Sequence, residues 1–88
     1  MSESAPAIIL VGNSHSARLL EEFGRYANDY DVRWVATATD ADVLAQELVG
    51  QGRQVALFVA ESVLTDAAVT DALDSWRRIV PTARRVVV

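Results

Sequence analysis

The sequence predicts an α/β domain in which a parallel sheet lies between layers of helices. Four short apolar runs alternate along the chain with segments of helical periodicity. The first run, 7–11, and the third, 55–60, are apolar without interruption, whereas a strand with one solvated face would alternate apolar and polar residues. Both runs are therefore expected to form central strands that helices cover on each face.

The other two runs indicate the strand order. The second strand, 32–36, places Arg33 beside Trp34, and a partly polar strand is typical of a sheet edge. The fourth strand, 85–88, follows the third helical segment. Because the connections are short and each crossover is expected to be right-handed, we predict the strand order 2-1-3-4. That order is the beginning of a three-layer, flavodoxin-like fold with helices on both faces.

Capping residues mark where each helix is expected to begin. Ser14 follows the first strand and can cap the first helix through its hydroxyl. Residues 39–42 combine a hydroxyl with acids and indicate the start of the second helix. The third helix is expected to begin at Thr65 or Asp66, and its periodicity places Trp76 in the core.

Length and composition allow one domain and exclude several classes of protein. The 88 residues divide into a flexible polar tail, 1–6, and a domain over 7–88. The chain has no cysteine, so it has no disulfide, and no run approaches the ~20 apolar residues of a membrane span. The start of the chain does not resemble a secretory signal, and we expect a cytoplasmic protein.

The charge argues against a nucleic-acid partner, as the lack of a spanning apolar run argues against a membrane. The formal net charge is −4, whereas a protein that neutralises phosphates needs a basic face. All eight basic residues are arginine, so no lysine is available for a phosphate site or a Schiff base. We therefore expect a protein as the partner, or other domains of a larger chain.

The end of the fourth strand is apolar. Val86, Val87 and Val88 have no helix after them, and an open apolar strand is a template for pairing with another chain. The chain is therefore expected to be a fragment of a longer protein or a module completed by a partner strand. In the second case we expect a homo-oligomer, most simply a homodimer, formed through this edge.

The C-terminal third carries the most specific pattern. An apolar third strand is followed directly by Glu61, the third helix ends in Ile-Val-Pro at 79–81, and Thr-Ala-Arg-Arg leads into the fourth strand at 82–85. In this order, and from about Ala7 onward, the chain resembles a response-regulator receiver domain of bacterial two-component signal transduction. The resemblance implies the first four strands and three helices of that family, with its last strand and helices missing.

The positions that carry receiver chemistry are changed in this chain. A receiver holds Mg²⁺ through an acidic pair after the first strand and accepts phosphate on an Asp after the third. Phosphoryl transfer depends on that ion and its hard oxygen ligands. Gly12 and Asn13 stand at the acid-pair positions, and Glu61 stands at the phospho-acceptor position. The resemblance therefore implies a degenerate receiver that cannot be phosphorylated by the Mg²⁺-dependent Asp route.

Two features leave alternatives open. Glu61 is either a built-in mimic of phosphate or a solvated acid at a strand end, near the next helix N-terminus. The turn formed by Gly12, Asn13 and Ser14 is either a tight turn with a serine cap or a small anion-binding turn, half of a Rossmann-like nucleotide site. A lone glycine with no lysine after it is a weak nucleotide motif.

These observations predict a non-catalytic regulatory module that acts by protein contact. No nucleophile is paired with a base, and His15, the only histidine, has no cysteine or second histidine with which to hold a metal. We therefore predict no enzymatic activity, no metal and no cofactor. Trp34 on the edge strand is a further candidate interface residue. The alternative function is nucleotide or anion binding by the turn at 12–14.

Overall fold

The computed structural model describes residues 5–13, 16–26, 28–64 and 66–88, apart from the side chains of 16, 17, 19 and 20. Strands and helices alternate: β1 (Ala7–Val11), α1 (Ser16–Phe23), β2 (Asp31–Val35), α2 (Ala38–Gly50), β3 (Val55–Ala60), α3 (Val69–Ile79) and β4 (Arg84–Val87). A 3-10 turn, Gly24–Tyr26, follows α1. None of the helices in the described part of the chain has the length and apolar content that a membrane crossing requires.

The four strands form one sheet whose pairings are all parallel. The strand order is β2-β1-β3-β4, as the sequence predicted. Ile9 of β1 lies opposite Arg33 of β2 on one side and Phe58 of β3 on the other. Phe58 in turn lies opposite Arg85 of β4. The protein therefore has an α/β, flavodoxin-like architecture in which β1 and β3 are the central strands.

One face of the sheet packs against α2 and α3. Ile9 and Phe58 are fully buried on this face, together with Leu48 of α2 and Trp76 of α3. The rings of Phe58 and Trp76 stack with their centroids 4.8 Å apart and their planes within 4° of parallel. Such a stack stabilises the fold by about 0.5–1.5 kcal/mol beyond the burial of its area. Trp76 is thus a core residue, as predicted.

The other face packs against α1. Because successive side chains of a strand point to opposite faces, Ile8 and Leu10 of β1 lie here with Val59 of β3. Phe23 at the end of α1 and Val32 of β2 pack against them. Helices therefore cover both faces of β1, which explains why its sequence has no polar position.

The edge formed by β2 is polar. Arg33 Nε donates to Asp31 at 3.0 Å, and Arg53 Nη2 donates to the same carboxylate at 2.9 Å. The Arg33 guanidinium, with Arg53, holds the pKa of Asp31 below its ordinary value. Arg53 also donates to the carbonyl of Ala5, and the Asp31 N–H donates to that of Pro6. The rest of the predicted tail, 1–4, lies outside the described residues.

The start of α2 differs slightly from the prediction. The helix begins at Ala38, and Thr37 caps it by accepting a hydrogen bond from the Asp40 N–H at 3.1 Å. The acids within 39–42 indicated the correct turn, but the capping hydroxyl belongs to Thr37 and not to Thr39. The error arose because Thr37 and Thr39 are equally good capping residues in sequence.

A second cap reaches α2 from the loop after β3. Asp66 accepts hydrogen bonds from the N–H groups of Ala38 at 2.9 Å and Thr39 at 3.0 Å, and from the Thr39 hydroxyl at 2.7 Å. The expected start of α3 at Asp66 is therefore wrong: α3 begins at Val69, and the Asp66 carboxylate caps a different helix. Thr65, the alternative start, lies outside the described residues.

Asp66→Asn is expected to destabilise the protein by roughly 0.5–1 kcal/mol at neutral pH, because an exposed charged cap is partly screened by solvent. The Thr39 hydroxyl and the two N–H groups lower the pKa of Asp66 below its ordinary value of 3.8. The contribution of Asp66 is therefore fully present above that value and is lost as the pH falls through the lower folded-state pKa. Urea denaturation of both proteins as a function of pH measures the difference.

Asp29→Asn is the matched control, because Asp29 is an exposed acid in the turn before β2 and its side chain makes no hydrogen bond with a described residue. It should change the free energy of unfolding by much less. A difference between wild type and Asp66→Asn that grows below pH 3.8 would contradict the capping role.

Candidate functional site

The carboxyl ends of β1 and β3 bring together the positions that the resemblance singled out. Val11 lies opposite Ala60, and the Glu61 N–H donates to the Val11 carbonyl at 3.0 Å. Gly12 and Glu61, which follow these strands, are therefore neighbours at the same edge of the sheet. Asn13 is exposed beside them, while Ser14 and His15 lie outside the described residues.

Glu61 is buried, with 4% of its surface exposed. The interpretation of Glu61 as a solvated acid at a strand end is therefore wrong. Its side chain lies against the Cα of Gly12: an ideal Cβ on Gly12 would overlap the Cγ and Cδ atoms of Glu61 and lie 2.6 Å from its Oε2. The acid is buried because glycine leaves this space open. The interpretation of Glu61 as a phosphate mimic stays a prediction.

The backbone of Gly12 is fully engaged. Its N–H donates to the Val35 carbonyl at 3.0 Å, and its carbonyl accepts a hydrogen bond from Trp34 Nε1 at 2.8 Å. An anion site in this turn would rely on free N–H groups and on the absence of a nearby negative charge. The Gly12 N–H is already bonded and the Glu61 carboxylate adjoins it, so both conditions work against an anion at Gly12.

The oxygen donors at this edge are few. Across the acid-pair and phospho-acceptor positions, the side-chain oxygens are those of the Asn13 amide and the Glu61 carboxylate. In the described ranges, no group of three or more His, Cys, Asp or Glu residues is placed to hold a metal ion. Mg²⁺ is bound through carboxylates in near-ideal octahedral geometry, so this set is a poor match to that ion.

The candidate interface residues lie at opposite edges of the sheet. Trp34 is on β2 and is 40% exposed, although its indole N–H is held by Gly12. Val86, Val87 and Val88 are on or just after β4, where they are 41%, 43% and 55% exposed. The structure therefore assigns Trp34 and the valines to separate surfaces.

The sequence did not indicate the contact between Trp34 and Gly12. Trp34 could be assigned to an edge strand, but its hydrogen bond depends on the register of β2 against β1. That register places Trp34 opposite Leu10, two residues before Gly12. A carbonyl at a strand end and an indole on the neighbouring strand carry no local signal of their pairing.

Gly12→Ala is expected to destabilise the protein by about 1–3 kcal/mol, because the added methyl group overlaps the Glu61 side chain. In a Glu61→Ala background the same change should cost clearly less, since the overlap is removed and only the strain of the positive φ of Gly12, 159°, remains. A double-mutant cycle measured by thermal or urea denaturation isolates the coupling. Gly50→Ala is the control, because a Cβ there meets nothing within 4 Å. Equal costs of Gly12→Ala in both backgrounds would disprove the packing described here.

Comparison with known proteins adds no relative to this picture. No protein family, curated protein or solved structure matches the chain. The fold and the site therefore rest on the residues and geometry described above.

Proposed function

We propose that this chain is a non-catalytic protein-interaction module whose β4 edge pairs with β4 of a second copy. The observation that carries the proposal is the exposure of Val86, Val87 and Val88, each more than 40% accessible at an edge of the sheet. Monomeric proteins usually protect an edge strand with charges, bulges or a covering segment. The opposite edge, β2, has such protection in Asp31 and Arg33, whereas the charges of β4, Arg84 and Arg85, stand at its start and leave the valines exposed.

The backbone of β4 supports pairing on its outer side. The Val88 N–H donates to the Ala60 carbonyl at 2.9 Å, and the Ser62 N–H donates to the Val88 carbonyl at 3.2 Å. Val88 therefore bonds inward, to the end of β3 and the loop after it. Backbone groups of successive strand residues point to opposite sides of the strand. Val87 and Arg85 therefore direct their N–H and C=O groups away from β3, where they are available to a second strand.

If the two copies are related by a two-fold axis through Val86, all of these outward N–H and C=O groups form hydrogen bonds. In an antiparallel pair, Arg85 of one copy lies opposite Val87 of the second copy, and each of the two such pairs exchanges two hydrogen bonds. The two Val86 side chains then meet directly at the axis on the face that carries α1. The result is a continuous sheet built from two copies.

Charge on α3 is self-complementary in this arrangement. Ser75 donates to Asp42 of α2 and Trp76 faces the sheet, so Arg77 lies on the side of α3 that is away from α2. Asp74 lies about 160° around the helix from Trp76, on the solvent face beside Arg77. In the two-fold pair the α3 helices run antiparallel beside each other. Arg77 of one copy then approaches Asp74 of the second copy, and the reverse pair forms by symmetry.

The resemblance to receiver domains supports a regulatory role for this association. A receiver changes its surface when an Asp after the third strand is phosphorylated, whereas here Glu61 stands at that position and is buried against Gly12. We infer that the surface is held in one state and that association depends on concentration or on a cytoplasmic partner instead of phosphate.

Val86→Asp is expected to raise the dimer dissociation constant at least about tenfold, because it places two carboxylates directly opposite each other at the axis. Val87→Asp is the matched control: the substitution is the same, the position is similarly exposed, and the new carboxylate lies opposite Arg85 of the second copy. Sedimentation equilibrium measures the dimer dissociation constant of each variant, and circular dichroism confirms that each variant is folded. A monomeric wild type at millimolar concentration, or equal losses in both variants, would refute the pairing.

Arg77→Glu is expected to weaken association by roughly two- to fivefold, since exposed ion pairs contribute little to affinity but fix orientation. Combining it with Asp74→Arg restores the pair with its charges exchanged, and affinity should return towards that of wild type. Sedimentation equilibrium at low salt gives the comparison. Failure of the double variant to recover would show that the α3 helices do not face each other.

A further inference from the structure

A groove opens on the α1 face of the sheet, towards the amino ends of the strands. Its volume is about 730 Å³. Ile8 of β1 and Leu57 of β3 form part of its floor, and Phe23, Tyr26 and Tyr30 form an aromatic wall. The rings of the wall contact one another, with centroids 6.2 Å apart for Phe23 and Tyr26 and 6.4 Å apart for Tyr26 and Tyr30.

The charged residues of the groove are all positive. Arg53 and Arg84 line it, and none of the described lining residues is an Asp or a Glu. Asp31 neutralises only part of this charge, because its single carboxylate is shared by Arg53 and Arg33. Arg84 forms no ion pair with a described residue and is exposed. No carboxylate of a described residue therefore competes with an anion for the guanidinium of Arg84.

We propose that this groove binds a small carboxylate that carries an aromatic body. Ligand sites of about 300–1,000 Å³ are mostly apolar and hold a few polar groups that fix orientation, and this groove has that composition. The aromatic wall offers flat surfaces against which a ring can stack. Arg84 offers the planar, bidentate donor pair that matches a carboxylate.

The groove is distinct from the candidate site at Gly12 and Glu61. It lies on the α1 face, whereas Gly12 and Glu61 lie at the carboxyl ends of the strands and α3 lies on the opposite face. It shares the α1 face with Val86, but its lining does not include the three valines of the β4 edge. The proposal therefore goes beyond the pairing of β4 edges and does not depend on it.

The probe is 1-naphthylacetate, and 1-naphthylacetamide is its neutral isostere. Titration into the ¹⁵N-labelled protein is followed by the amide resonances of residues that line the groove, chiefly Ile8, Leu57 and Thr82. We expect saturable shifts at these residues with the carboxylate and an affinity at least about fivefold weaker with the amide, as a charge-assisted hydrogen bond predicts. Added salt should weaken the binding of 1-naphthylacetate but not that of 1-naphthylacetamide.

Two variants test the assigned residues. Arg84→Gln should weaken the binding of 1-naphthylacetate by about five- to tenfold and leave the binding of 1-naphthylacetamide unchanged. Arg78→Gln is its matched control, because it removes the same charge from an exposed residue of α3, on the opposite face of the sheet. Tyr26→Ser should weaken both probes, since it removes part of the aromatic wall, and Tyr26 is 40% exposed so the fold should tolerate it.

Several results would overturn the proposal. They are the absence of shifts at millimolar probe, equal affinities for carboxylate and amide, or equal losses of affinity in Arg84→Gln and Arg78→Gln. Shifts of the same residues with protein concentration alone would assign the groove to a second copy and would likewise exclude the small-molecule site.

Discussion

The structure depends on the burial of β1 on both faces. Its five residues, Ala7–Val11, are at most 4% exposed, so each side chain must meet a helix or a neighbouring strand. A parallel sheet can meet this demand only when its crossovers place helices on both sides. The right-handed crossovers then put α1 on one face and α2 and α3 on the other. The two edges, β2 and β4, are consequences of the same arrangement.

The same constraint shapes the carboxyl end of the sheet. The buried ends of β1 and β3 bring Gly12 and Glu61 into contact, and the missing side chain of Gly12 provides the space that Glu61 fills. With the Gly12 N–H and carbonyl both bonded, this edge is occupied by the protein itself. Among the described residues, the valines of the β4 edge and the arginine-lined groove on the α1 face remain accessible. We therefore place the proposed interactions there.

The sequence was sufficient for features that depend on one element at a time. The uninterrupted apolar runs predicted the central strands, the charged residue in the second run predicted its edge position, and periodicity predicted that Trp76 is buried. The burial of Glu61 depends on what Gly12 lacks, forty-nine positions earlier. Likewise, Asp66 looked like the start of its own helix and instead caps α2. Such contacts join residues distant in sequence, and neither partner carries a local signal of the other.

Amide hydrogen exchange along β4 tests the central claim most directly. The Val88 N–H bonds to the Ala60 carbonyl within one chain, whereas the Val87 N–H faces the outer side of the strand. When exchange is measured by NMR across a range of protein concentrations, our account predicts that Val87 becomes protected as concentration rises. The protection of Val88 should stay the same. An exchange rate of the Val87 amide that is fast and independent of concentration would contradict the account.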